Sequence, residues 1–475
     1  PSDAAASNPA PPDPTAALAS ARELSQTGAP EDLMAAAELA MQAHLAGETD
    51  AGPVFAECAD RLAVMSGRPQ PFGSIAMQNY GDVSLAPVDY GVTDEQRAEF
   101  GIPPLAELRH RLEEESRRLA RIRAEQGGLE PNTPFMRVWR DPDPVELRAR
   151  RVGEGASCWA DGDELTIIAE MDHPFMATPV LPMPSWDAGD GLQVVTVRID
   201  RLAEAVITYT RTPLGQAPAM GTGRGSHDGR FRGPMAPPEA PSNDPVLGSL
   251  FDHAIESAAL GEPRRVTVYK PAARHGNDLP VMFSTDGDMV SAYARRLDAA
   301  IEAGSCPPVV VVAAHSANAM SRVNAQQNVR ALEYLPGFDD RRFDAHQRFF
   351  VSELASWADS ELPISTDRDR RAVFGCSDGG GHALATGMLH PDRYGHVFAF
   401  STGMPPDGRT RWGADAPIVH LCAGTLEGPF HQATVMWAFF LERLGARHHL
   451  TERVCGHDLI QWAEELPIAV GRAFG

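Results

Sequence analysis

The chain has a single lysine, Lys270, among its 42 basic residues, so nearly all of its positive charge is arginine. Set against 64 acidic residues, this leaves a formal charge of -22 and a pI near 5.1. Binding to a phosphate backbone draws on clustered positive charge, so nucleic acid is excluded as a partner. No apolar run approaches the roughly 20 residues that a bilayer-crossing helix needs, which excludes a membrane span of that kind. The six cysteines (Cys58, Cys158, Cys306, Cys376, Cys422 and Cys455) are widely spread. None forms a C-x-x-C pair or a metal-ligand spacing, so no metal site is expected and the redox compartment stays open.

What remains is an ordinary globular composition, with 43% hydrophobic and 22% charged residues in 475. That length exceeds what one core usually organises, so several domains are expected. Residues 1–29 open on an Ala/Pro/Ser-rich stretch without Met and read as a disordered leader. Such a start suits a bacterial protein exported to the periplasm or beyond more than a cytoplasmic one. Residues 30–130 carry helical periodicity, with Thr93 or Asp94 as a cap and a long helix after Pro103 and Pro104. Residues 131–213 change to the period of strands, in VELRARRVG, ELTIIAEM, LQVVTVRI and AVITYTRT, which predicts a small β-sandwich. Residues 214–245 are dominated by Gly, Pro and small side chains, a linker or flap.

From 246 to 475 strands alternate with helices. RRVTVYKP, LPVMFSTDG and PPVVVVAAH are strands, and SAYARRLDAAIEAG and DAHQRFFVSELASWADSEL are helices. Alternation of this kind predicts a mostly parallel sheet flanked by helices. Within it, the strand RAVFG runs into Gly375-Cys376-Ser377-Asp378-Gly379, followed at once by a helical pattern. The bare Gly-x-Ser-x-Gly pattern arises by chance in about one chain in five of this length. Its setting between strand and helix is what makes it a nucleophile elbow, with Ser377 at the strained turn.

A serine hydroxyl needs a base to attack, and the base needs a group that orients it. Downstream, the strand PIVHLCAG is followed by Glu427, and the strand HHLTERVC by His457 and Asp458. Nucleophile, carboxylate, histidine is the chain order of α/β-hydrolases, with Ser377, Glu427 and His457 as candidates. Asp458 is the alternative acid, and a Ser-His dyad a further possibility. Backbone N–H groups of Asp378 and of the FSTDGDM loop, at Gly287 and Asp288, are the candidate oxyanion donors. Arg330, His382 and Trp462 are candidates for contacts to substrate. His315 and His346 read as hydrogen-bonded structural groups, and Cys376, beside the nucleophile, as packed.

Through ALGEPRRVTVYKP, the STDGD loop, RALEYLPG, GCSDGGGHAL and the terminal GHDLIQW, residues 248 to 475 resemble the esterase-D and enterochelin-esterase family. IDRLAEAVITYTRTP ahead of them is similar to the N-terminal domain of ferric enterochelin esterases. The resemblance implies an α/β-hydrolase fold and cleavage of a siderophore ester. Two departures stand out: Ser284-Thr285-Asp286-Gly287 replaces the family's Leu-Leu-Asp-Gly, and the helical region through residue 126 is an addition. That region resembles a bacterial domain of unknown function and assigns no chemistry.

The resulting expectation is a serine carboxylic ester hydrolase working through an acyl-enzyme on a small-molecule ester, without cofactor. The alternatives are an acyltransferase on the same fold and a binding protein with a vestigial site.

Overall fold

The computed structural model describes residues 13–66, 68–79, 82–125, 135–138, 143–150, 157–172, 174–179, 181–213, 228–272, 275–317, 329–408, 410–413 and 415–475. Every residue of the strand Val310–Ala314 is buried, as is every residue of Val281–Ser284, Arg371–Cys376 and His396–Phe400. Strands with no polar face must be covered on both sides. They form the centre of an eight-stranded sheet whose spatial order runs Ser249–Ser257, Glu262–Lys270, Val310–Ala314, Val281–Ser284, Arg371–Cys376, His396–Phe400, Ile418–Gly424, His448–Arg453. The first two pairings are antiparallel and all later ones are parallel.

Alternate residues of these strands feed two separate cores, as the two-residue period of a strand requires. Phe283, Val310 and Val312 pack on one face with Ala355, Trp437 and Leu441. Met282, Val311 and Phe374 pack on the other with Leu297, Trp462 and Leu466. The strand Val281–Ser284 lies between Val310–Ala314, which follows it directly in the chain, and the later Arg371–Cys376. Strand order therefore reverses at this point, and a crevice opens beyond the carboxyl ends of strands at such a reversal. Ser377 and the turn after Ser284 both emerge there.

Ahead of this sheet stand two antiparallel ones. Phe135–Arg137, Leu192–Ile199, Glu164–Glu170 and Ser157–Asp161 form the first, with Trp186–Asp187 beside Leu192–Ile199. Gly229–Arg232, Val206–Pro213, Phe175–Pro179 and Leu181–Pro184 form the second. Ile167, Val195, Phe175 and Ile207 bring the two sheets into one core. No helix among the described residues is long and apolar enough to cross a membrane.

Four expectations are corrected. The leader expected over 1–29 contains the helix Pro14–Thr27, because Pro14 sits at its start and Ala17, Leu18 and Ala21 make a small apolar stripe buried against its neighbours. The region 30–130 is not wholly helical, since Ala76–Asn79 and Asp82–Leu85 form a hairpin packed on the helix Leu105–Glu125. VELRARRVG begins as the helix Pro144–Ala149 rather than a strand, with Pro144 in its first turn and the Asp143 carboxylate capping Val145 N–H. The 214–245 linker supplies the strand Gly229–Arg232, recruited by backbone pairing with Val206–Tyr209; residues 214–227 lie outside the described residues. Thr93, one of the two expected caps, forms a full capping box with Gln96.

Candidate active site

Ser377 closes the strand Arg371–Cys376 and immediately precedes the helix Asp378–Leu389. Its backbone sits at φ 59°, ψ -125°, a region that residues with side chains rarely occupy. The flanking glycines make this turn possible. A Cβ on Gly375 would lie 2.0 Å from the Gly379 carbonyl oxygen, and one on Gly379 would lie 2.4 Å from Thr285 Oγ1. The elbow is thus pressed against the loop that follows Ser284. Cys376, next to Ser377, is packed against Tyr293 with Sγ 3.4 Å from its hydroxyl, and burial holds its thiol well above the ordinary range.

His457 follows the last strand, and its Nδ1 lies 2.6 Å from Glu427 Oε2. The other oxygen, Oε1, accepts a hydrogen bond from Ser401 Oγ at 2.7 Å and one from the Gly424 backbone N–H. A carboxylate held on both oxygens fixes the imidazole orientation and leaves Nε2 free to act as a base. The ring is also held from its sides, with Phe430 4.0 Å away between centroids and the Trp462 edge at 4.9 Å. Asp458, the alternative acid, caps the final helix through Ile460 N–H. No hydrogen bond joins Ser377 to His457 among the described residues; such contacts often tighten only once substrate is bound.

The candidate oxyanion donors are on two loops. Asp378 opens its helix, so its N–H has no intrahelical partner. Gly287 and Asp288 open the short 3-10 turn Gly287–Met289, preceded by Asp286 in the left-handed region at φ 55°. A single guanidinium ties the two loops together. Arg330 Nε and Nη2 bond the two carboxylate oxygens of Asp286 at 2.7 and 2.9 Å, while Nη1 reaches Asp378 Oδ2 at 2.5 Å. Burial opposes the charge on Arg330, but Asp286 and Asp378 together hold it above its ordinary pKa.

Three expected substrate contacts are therefore placed differently. Arg330 is occupied by carboxylates of the protein. His382 is fully buried rather than lining the crevice, with Nε2 3.1 Å from His346 Nδ1 and 3.0 Å from Gln347 Nε2, because its turn of the helix faces the core. Trp462 is 4% exposed and its indole N–H donates to Ser401 Oγ at 2.8 Å, so its ring braces the His457 assembly. Sequence reading missed Ser401 and Phe430. Ser401 stands directly after the strand His396–Phe400, a position whose only signal is that it follows the strand paired with Arg371–Cys376.

Among the described residues no group of His, Cys, Asp or Glu could hold a metal ion. No curated protein matches the chain by sequence. Among solved structures, the enterobactin esterase of Shigella flexneri is similar at 16% identity and a TM-score of 0.51, covering 70% of this chain and 98% of that one. The ferric enterobactin esterase of Salmonella typhimurium is similar at 17% identity and a TM-score of 0.54, covering 68% of this chain and 98% of that one. At such identities the likeness concerns the fold, and its coverage takes in more than the hydrolase domain. The family model described as "Putative esterase" matches residues 257–469, a segment that takes in most of the eight-stranded sheet and the Ser377 turn.

Proposed function

We propose that the protein hydrolyses a carboxylic ester through an acyl-enzyme on Ser377. His457 takes the serine proton and returns it to the leaving alcohol, and Glu427 orients the imidazole and stabilises its charged form. Asp378 N–H and an N–H of the Gly287–Asp288 turn receive the oxyanion. The observation that carries this reading is the 2.6 Å contact of His457 Nδ1 with Glu427, on loops that follow two strands of the sheet whose nucleophile strand ends in the strained turn at Ser377.

The substrate reading favours an uncharged ester over a ferric catecholate. Arg330, the arginine that reaches the nucleophile turn, is occupied by Asp286 and Asp378, and a chain of charge -22 repels a polyanion at long range. Hydrolysis of p-nitrophenyl esters by the wild type and the Ser377→Ala variant tests the chemistry. Loss of turnover together with loss of fluorophosphonate labelling supports the reading. Full turnover in Ser377→Ala defeats it.

A further inference from the structure

Leu426, the neighbour of Glu427, and Val454, three residues before His457, are 3% and 4% exposed, yet the core that buries them belongs to the β-sandwich. They pack with Ile207, Leu202 and their neighbours rather than with either face of the hydrolase sheet. Two backbone bonds join the loops that carry the acid and the base: Thr425 N–H donates to Arg453 O at 2.8 Å and Leu426 N–H to Cys455 O at 3.0 Å. A third crosses the domain boundary, from Val206 N–H to Val454 O at 2.9 Å.

We infer that the β-sandwich is a working part of the active site, with Leu426 and Val454 as positioning residues that lock the Glu427 and His457 loops against it. The seam is not filled throughout. An open cleft lined by Arg201, Val206, Val454 and Glu464 runs along it. Among the described residues the seam is bridged by the two apolar plugs, the Val206 bond and the ion pair of Arg232 with Glu464 at 2.8 Å. The hydrolase sheet holds Ser377 on its own strand, whereas the carboxylate and imidazole sit on loops whose outer side chains are anchored in another domain. Loosening that anchor changes the distance between nucleophile and base without touching either.

This inference rests on the proposed esterase chemistry, and its test keeps the two apart. Leu426→Ala is expected to lower kcat by about 100-fold with KM unchanged, the scale of a small misplacement of reacting groups. It should also raise hydrogen exchange at the 424–428 and 454–458 backbone. Leu426→Met, which restores the volume, should recover most of the rate. Ile167→Val, in the same core but on the strand Glu164–Glu170, whose backbone pairs only with other strands of the sandwich among the described residues, should leave kcat and exchange at those loops as in the wild type. Wild-type kcat with unchanged exchange in a folded Leu426→Ala protein overturns the inference, as does an equal loss in Ile167→Val. An inert wild type overturns the esterase reading instead, and the exchange measurement then still decides whether the loops are anchored across the seam.

Discussion

The Trp462 indole N–H donates to Ser401 Oγ, and Ser401 in turn donates its hydroxyl proton to Glu427. Trp462 on the final helix and Ser401 after the strand His396–Phe400 thus set the direction of one carboxylate. With Gly424 N–H on the same oxygen as Ser401, Oε1 is saturated and Oε2 faces His457 alone among these partners. Trp462 is buried and its indole N–H is committed to Ser401, so its ring offers no stacking platform for substrate in this position.

The first prediction separates the two candidate acids. Glu427→Gln keeps the shape but offers His457 an amide that can present N–H where an acceptor is needed, which disfavours the productive tautomer. A loss of about 10,000-fold in kcat is expected, the scale of the equivalent change in a serine protease. Asp458→Ala removes a helix cap, so its main effect is a loss of about 1 kcal/mol in unfolding free energy. Steady-state kinetics and urea melts of both variants check this. A larger kcat loss in Asp458→Ala than in Glu427→Gln would reverse the assignment.

The second prediction concerns the arginine between the loops. Lysine keeps the charge of Arg330 but has no planar fork, so it cannot bond both oxygens of Asp286 while reaching Asp378. Arg330→Lys is expected to lower kcat by roughly 100-fold through a displaced oxyanion donor. Arg330→Met leaves the buried Asp286 carboxylate without its partner and is expected to cost about 3 kcal/mol of stability. Paired kinetics and thermal melts test this; an Arg330→Lys enzyme with normal kcat but raised KM would return the residue to substrate binding.

The difference between what was legible in the sequence and what was not follows the range of the interactions. Ser377 could be read because the elbow is local: a strand, two glycines that admit close backbone and a helix, all within about twenty residues. Glu427 and His457 could be read from their order after successive strands, since parallel strands deliver their following loops to one edge. The parallel sheet was legible in its runs of buried valine. Arg330, His382 and Trp462 were legible only as candidates, because the direction of each side chain depends on partners far along the chain: Asp286 and Asp378, Gln347, Ser401. Likewise, the helix Pro14–Thr27 and the strand Gly229–Arg232 exist because of packing and pairing partners, against a local composition that suggests neither.

The third prediction follows from histidines whose burial outweighs any carboxylate near them. His346 lies against His382 of the helix Asp378–Leu389, and burial, with Arg264 adding to it, lowers its pKa to about 3. His382 beside it is held well below the ordinary range by burial and by His346. Under the far side of the sheet His420 is lowered to about 3 and His396 to about 4, again chiefly by burial. Each remains neutral in the folded protein at pH values where an unfolded histidine, with a pKa near 6.5, takes up a proton. The unfolded chain therefore binds more protons, and stability falls as pH drops below about 6.5. The loss per histidine approaches about 1.4 kcal/mol for each pH unit and continues until the folded-state values near 4 and 3 are reached. Above about pH 7.5 these groups contribute no pH dependence. Unfolding free energies measured by urea titration between pH 5 and 8 should decline steeply on the acid side. His346→Gln or His420→Gln, if it folds, should flatten that slope by about one proton, and an unchanged slope in both variants would show that these imidazoles are already protonated in the native fold.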